Sequence, residues 1–122
     1  MQEDPKSYFE MAQMACKNKN YTRGVKFYLK AAKVGDARGC YQLAALYVRG
    51  RGVKQNIARG LGYLQKAIRR GEIRAHHAMG LIYQYGYGIP QNIAKAKEHF
   101  LKGMKLGGPF AQIALDKIAH KK

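Results

Sequence analysis

DARGCYQLAALYVRGRGVKQNIARGLGYLQKAIRRG (residues 36–71) is followed at once by EIRAHHAMGLIYQYGYGIPQNIAKAKEHFLKGMKLG (residues 72–107). The two stretches align without a gap at an offset of 36 residues. Arg38 falls on Arg74, Tyr47 on Tyr83, and Gly50 and Gly52 on Gly86 and Gly88. QNIA at 55–58 falls on QNIA at 91–94, and Gly71 on Gly107. A period between about 20 and 50 residues marks a solenoid, whose units bury their apolar faces against their neighbours. Such a chain offers an extended surface and seldom encloses a reaction chamber.

Each copy reads as two helices. Leu43, Leu46 and Tyr47 recur at helical spacing, and the Gly50-Arg51-Gly52 triplet then stops the helix. Gly50 and Gly52 suit a loop that needs positive φ. Asn56 stands where its side chain can accept an orphan backbone N–H of the second helix. Gly71 closes that helix and Glu72 opens the next. Asp36 and Glu72 both sit where a helix N-terminus favours negative charge.

The pattern reaches outward from the two clean copies. Asn20, Gly24, Lys30, Ala31 and Gly35 precede Asn56, Gly60, Lys66, Ala67 and Gly71 by the same offset. Tyr21 to Val34 is therefore the second helix of an earlier unit, and its partner runs from about Lys6 to Lys17 without the glycine loop. PFAQIALDKIAHKK (109–122) reads as a lone first helix that caps the last repeat. The chain is thus one domain, with repeats at 1–35, 36–71 and 72–107 and a capping helix at 108–122. Gly24, Gly60 and Ala96, then Ala31, Ala67 and Gly103, and Ala12, Ala44 and Gly80 put small residues where helices should cross closely. A glycine inside a helix costs about 1 kcal/mol relative to alanine. Its recurrence implies that close packing returns more.

The 122 residues carry 23 Lys and Arg against seven Asp and Glu, a formal net charge of +16. Charge of this size speaks to partners and solubility. It points to an acidic protein, a nucleic acid or an anionic surface. The longest apolar runs, such as LAALYV at 43–48, are too short to span a bilayer. The start MQEDPKS is polar and acidic, unlike a signal peptide. Cys16 falls late on its helix and Cys40 early on the equivalent helix of the next unit. About two helical turns, each about 5.4 Å, separate them, whereas bridged Cα atoms lie within about 7 Å. Two free thiols are expected, which favours a reducing, cytoplasmic compartment. A mature periplasmic or secreted chain with an added Met would begin in the same way.

The residue inventory argues against catalysis, metal binding and a cofactor. Ser7 and Thr22 are the only hydroxyl residues besides tyrosine. No set for a Ser-His-Asp triad exists, and the glycine triplets lack the context of a phosphate loop. His76 and His77 are neighbours on a helix and point about 100° apart, so they do not converge on one ion. His99 and His120 have no partner at ligand spacing. No small-molecule substrate is implied.

Leu-x-x-Leu-Tyr-x-x-Gly-x-Gly-Val at 43–53 returns at 79–89 with Met79 and Ile82 in the apolar positions. With the small residues and the closing glycines, these stretches resemble the Sel1-like repeat, a relative of the tetratricopeptide repeat. The first unit, with its shorter loop, is more like the tetratricopeptide repeat itself. The family usually carries Asp where this chain has Asn56 and Asn92, and either residue caps well. The cysteine pattern that staples some secreted members is missing. The resemblance implies an all-α right-handed superhelix of antiparallel helix pairs, with first helices on a concave face and second helices on a convex one. It also implies a non-enzymatic protein–protein interaction module. Small stand-alone relatives in bacteria include adaptors and immunity proteins.

By that resemblance, one rim of the concave groove carries Lys6, Arg38 and Arg74, and the other Lys17, Arg49, Tyr85 and Lys121. Phe9, Tyr41, His77 and Ile113 form a floor between them, with Ala45 and Leu81 beside it. Arg38, Arg49, Arg74 and Tyr41 are the expected anchors, since aromatics and Arg most often carry interface energy. Reversing Arg38 and Arg74 to Glu should abolish binding and leave the fold intact. The groove suits an acidic protein partner. A second basic set lies on the second helices. Arg23, Arg59 and Lys95 align, as do Lys30, Lys66 and Lys102, and Lys33, Arg69 and Lys105. Offsets of seven and ten residues hold the three rungs on one helix face, within about 80°. Nucleic acid is the alternative partner, held there through phosphates.

Overall fold

The computed structural model describes residues 5–107 and 115–118, with side chains from Tyr8 onward. Its regular elements are α1 (Pro5–Lys17), α2 (Tyr21–Lys33), α3 (Ala37–Arg49), α4 (Ile57–Arg69), α5 (Arg74–Tyr85) and α6 (Ile93–Lys105). The fold is all-α, and α1 with α2, α3 with α4 and α5 with α6 form antiparallel pairs. The chain divides into two compact units, Met1–Glu72 and Ile73–Lys122. The first holds two helix pairs. The second holds α5, α6 and the helical residues 115–118.

The second helices start alike because an asparagine precedes each. Asn20, Asn56 and Asn92 accept from the backbone N–H of Arg23, Arg59 and Lys95 at 3.2, 3.0 and 3.0 Å. Each bond satisfies one of the donors that a helix start leaves open. The first helices end alike because Gly50 and Gly86 take left-handed backbone, φ 68° and 67°, and return their N–H to Leu46 and Ile82. The following loop is then tied twice. Gln55 Nε2 donates to the Val48 carbonyl at 2.8 Å, and Gln91 Nε2 to the Gln84 carbonyl at 2.7 Å. The Asn56 and Asn92 N–H groups donate to Tyr47 and Tyr83, both at 2.9 Å. The repeated Gln-Asn pair thus fastens one helix end with its first residue and opens the next helix with its second.

The starts of α3 and α5 differ from each other. Asp36 caps α3, accepting from the Arg38 N–H at 2.9 Å. Glu72 stands near the start of α5, as its charge suits, but one residue before the cap position. That position falls to Ile73, which has helical backbone and no side-chain acceptor.

Close crossing explains the small residues. A Cβ on Gly24 would meet Cys16 Sγ, one on Gly60 would meet Val48 and the Ala44 carbonyl, and one on Gly80 would meet the Phe100 ring. In the first unit Cys40, Leu43, Ala44 and Ala67 are fully enclosed. In the second, Ala96, Phe100 and Ile118 form the core, with Leu81, Tyr83, Met104 and Leu115 packed around it. Ile118 belongs to the expected capping helix, and the rest of that stretch lies outside the described residues.

Both thiols are free, as expected. Burial pushes the Cys16 thiol up from its ordinary pKa. Cys40 does more than fill space. Its Sγ accepts from Arg70 Nη1 at 3.3 Å, and the same nitrogen donates to the Ala32 carbonyl at 2.7 Å.

Candidate functional site

In the first unit, Arg38 is held on two sides. Its guanidinium forks onto Asp36, with Nε to Oδ1 at 3.1 Å and Nη2 to Oδ2 at 2.9 Å. Its carbon Cζ lies 4.0 Å from the centre of the Phe9 ring. Burial pushes the Asp36 carboxyl upward, but the Arg38 hydrogen bonds and charge outweigh it and hold the pKa below the ordinary carboxylate value. Arg38 is thus held by a fork on one edge and a ring on one face. Its side chain still keeps 44% of its exposure.

Phe9 is only 6% exposed and packs edge-on to Tyr28, with ring centres 5.7 Å apart. It supports Arg38 and presents little floor of its own. Enclosure also pushes the Tyr28 hydroxyl up to about 12. Tyr41 and Ala45 are half-buried, and Lys17 and Arg49 are exposed. The Lys6 side chain lies outside the described residues. Reversing Arg38 would set a carboxylate beside Asp36 and loosen the start of α3, so Arg38 cannot report on binding with the fold untouched. Arg49, at the other end of α3, is the cleaner probe.

In the second unit, Arg74 is exposed at the start of α5 and Tyr85 is 51% exposed at its end. Between them His77 and Leu81 are half-buried, and the His77 ring lies 5.6 Å from that of Phe100. Tyr85 pairs with Tyr87, itself 50% exposed, at 5.5 Å. Tyr87 was not among the expected residues. Its place between two glycines, two residues beyond Tyr85, could have suggested the pair. Ile113 and Lys121 lie outside the described residues.

The expected second-helix ladders are exposed at every position. These are Arg23, Lys30 and Lys33 on α2, Arg59, Lys66 and Arg69 on α4, and Lys95, Lys102 and Lys105 on α6. Many of the cations lie over rings of their own repeat. Arg23 sits 4.9 Å from the Phe27 ring and Lys30 5.7 Å from that of Tyr8. Arg59 sits over Tyr47 at 5.8 Å, Lys66 over Tyr63 at 5.3 Å and Lys95 over Tyr83 at 5.3 Å. Lys102 pairs with Glu98 at 3.1 Å. The nearby rings are therefore taken up by the chain's own cations.

The histidines of the second unit depart from the sequence expectation. His76 and His77 do diverge. His99, expected to be without a partner, meets His76 across the α5–α6 contact, Nδ1 to Nδ1 at 3.3 Å. Tyr83 stacks on His99 with centres 5.9 Å apart and planes 3° apart. Burial lowers the pKa of both histidines, and Lys102 lowers both further. For His99 the charge of His76 adds to this. Among the described residues no group of three or more His, Cys, Asp or Glu converges on one point. No described helix is long and apolar enough to cross a membrane.

The Sel1 repeat model matches residues 6–36, 37–72 and 73–108, three consecutive units. A solved Sel1 repeat protein from Oxalobacter formigenes superposes with a TM-score of 0.87 at 24% identity, over 93% of this chain and 48% of that one. A protective antigen of uropathogenic Escherichia coli, described as having the SLR fold, superposes with a TM-score of 0.79 at 22% identity. That match covers 88% of this chain and 24% of the antigen. At these identities the likeness speaks for the fold. HcpC of Helicobacter pylori, provisionally named a beta-lactamase, is 31% identical over 55 residues, 45% of this chain and 19% of that protein. The chain thus spans about half the length of the Oxalobacter protein and about a fifth of HcpC.

Proposed function

The chain belongs to the Sel1 repeat family, whose repeats are in general scaffolds for protein interaction, and on that premise we propose that it is a non-enzymatic module for an acidic protein partner. In the first unit the partner is met by Arg38, Tyr41 and Arg49 on α3 with Lys17 at the end of α1; the second unit, taken by itself, offers Arg74, His77, Leu81 and Tyr85 on α5. The protein acts as an adaptor, or as an inhibitor of the immunity type that covers the partner's working site. The observation that supports this most is the state of Arg38. A guanidinium laid on Phe9 and forked on Asp36 has already given up much of its rotamer freedom. It therefore loses less on binding than a free side chain would. Complementary charge would also speed encounter and select against basic partners.

A second reading has nucleic acid on the exposed ladders of α2, α4 and α6. It receives less support, because base stacking needs open ring faces and cations already lie over Phe27, Tyr47, Tyr63 and Tyr83. The two readings part in one experiment. The immobilised full chain is exposed to native lysate with and without nuclease, at low and high salt. The first reading expects one acidic protein that survives nuclease and whose capture weakens with salt. Loss of all bound material after nuclease contradicts it and favours the second.

A further inference from the structure

We infer that the hydrogen bond between His76 and His99 is an acid-sensitive latch, which holds α5 against α6 near neutral pH and gives way when both rings are charged. The two Nδ1 atoms lie 3.3 Å apart and the ring centres 5.6 Å apart. Imidazole nitrogens at that separation share one proton, with one ring donating and the other accepting. A first added proton can go to the far nitrogen, Nε2, of the donor ring and leave the bond in place. A second must go to the accepting Nδ1. Two N–H groups then point at each other between two cations, and the bond becomes a repulsion.

The surroundings oppose that second proton. His76 is 6% exposed, and Tyr83 lies parallel to His99, so neither ring turns away without disturbing its packing. Charge reaches the pair from α6, where Lys102 acts on both rings and Lys95 and Glu98 act on His99. Two of these three are cations, and Glu98 is drawn to Lys102. From α5, Tyr83 stacks on His99, while His77 turns to Phe100. Residues 115–118 bring Leu115 and Ile118 to the Phe100 core. Burial and Lys102 both favour the neutral form of each ring.

The two units differ in what acid can reach. All four histidines, His76, His77, His99 and His120, follow residue 72, and the first unit has none. Histidine is the side chain whose ordinary pKa falls between about pH 5 and 8. At the offset of 36 residues, Cys40 and Tyr63 stand where His76 and His99 stand, and neither gains charge in acid. Unfolded rings take protons near a pH of about 6.5, and the folded pair only at lower pH. Stability is therefore full above that value and falls as the pH drops below it. Mild acid should loosen the second unit and leave the first as it is. Because α5 carries Arg74, His77, Leu81 and Tyr85, a partner held there is released with it, a consequence that rests on the function proposed above.

The test is amide hydrogen exchange of the full chain at about pH 7.5 and about pH 5.5, read as protection factors so that the intrinsic pH effect drops out. Over that span each ring kept neutral by the fold costs about tenfold in the ratio of folded to unfolded chain. The slowest amides of α5 and α6 should thus lose about ten- to a hundredfold in protection, and those of α3 and α4 should keep theirs. His76→Cys with His99→Tyr restores the first repeat's residues, and should fold because Tyr63 holds the equivalent place stacked on Tyr47. It should lose at least about tenfold less than the wild type. Nitrogen NMR of the wild type gives a reading that needs no variant. Near neutral pH one of the two Nδ1 atoms should carry a proton and the other none. Undiminished protection of α5 and α6 in acid, an equal loss in the double variant, or two like Nδ1 atoms would overturn the latch, whatever the partner. Affinity for the captured partner at the same two pH values tests the release. An equal fall in wild type and double variant would overturn the release alone.

Discussion

Residues 36–71 and 72–107 use one blueprint, and they differ most in how large side chains are shared between the paired helices. Their frames are near copies. The asparagine caps and the glutamine ties agree within 0.1 Å, and the glycines at the helix ends share left-handed backbone. Inside, the partners have exchanged bulk. Where the first has Ala44 with Leu64, the second has Gly80 with Phe100, and the ring fills the space that a methyl group at 80 would take. Where the first has Cys40 and Tyr63, the second has two histidines in contact. Backbone hydrogen bonds demand particular residues at particular places, so the frame is copied. A core demands only that volume and polarity balance, so it drifts in compensating pairs.

Breaking the balance in the second unit should cost most. Phe100→Ala empties the centre of that core and should destabilise by about 3–5 kcal/mol in a denaturant titration. Gly80→Ala should cost about 1–3 kcal/mol by driving a methyl group into the same ring. Phe100→Leu restores the first repeat's residue and should recover part of that loss, with a coupling of about 0.5–3 kcal/mol in the double-mutant cycle. Strict additivity would show that the exchange of bulk is accidental.

Breaking the frame should cost the same in both repeats. Asn56→Ala and Asn92→Ala each remove one cap bond and should lower stability by about 1 kcal/mol. A large difference between them would mean that the caps are less alike than their geometry. The smallest effect separates the starts of α3 and α5. Asp36→Asn keeps a capping side chain but discards the ion pair, and should cost no more than about 1 kcal/mol. It should also remove a pH dependence. The folded Asp36 has a lowered pKa, so its contribution is full above the unfolded value of about 3.9 and fades as pH falls through the folded one. The wild type should therefore lose more stability than Asp36→Asn between pH 5 and the acid limit.

The frame was legible in the sequence because it is local. Gly50, Asn56 and their counterparts act on backbone a few residues away, and a glycine or asparagine at such a place has few other uses. The tie made by Gln55 and Gln91 was visible only as an identity between repeats, since glutamine at a loop end has no fixed habit. The meeting of His76 with His99 joins residues from different helices, so no spacing along the chain announces it. The repeat register does carry a trace, because Cys40 and Tyr63 stand at the same two positions. The burial of Phe9 under Arg38 was hidden for a like reason. A residue on the first-helix face can be covered by a long side chain from the next repeat.

The surface differs between the repeats as the core does, with Arg49 on α3 where α5 has Tyr85. The account of function stands on the first-helix face, and reversing charge on each face in turn tests it most directly. Affinity for the captured partner is measured for Arg49→Glu with Arg74→Glu, and separately for Lys66→Glu with Arg69→Glu, after circular dichroism shows both chains folded. The first pair should weaken binding by at least about thirtyfold, as for loss of one strong interface anchor of about 2 kcal/mol, and the second pair far less. Undiminished affinity in the first pair, or a larger loss in the second, would contradict the account.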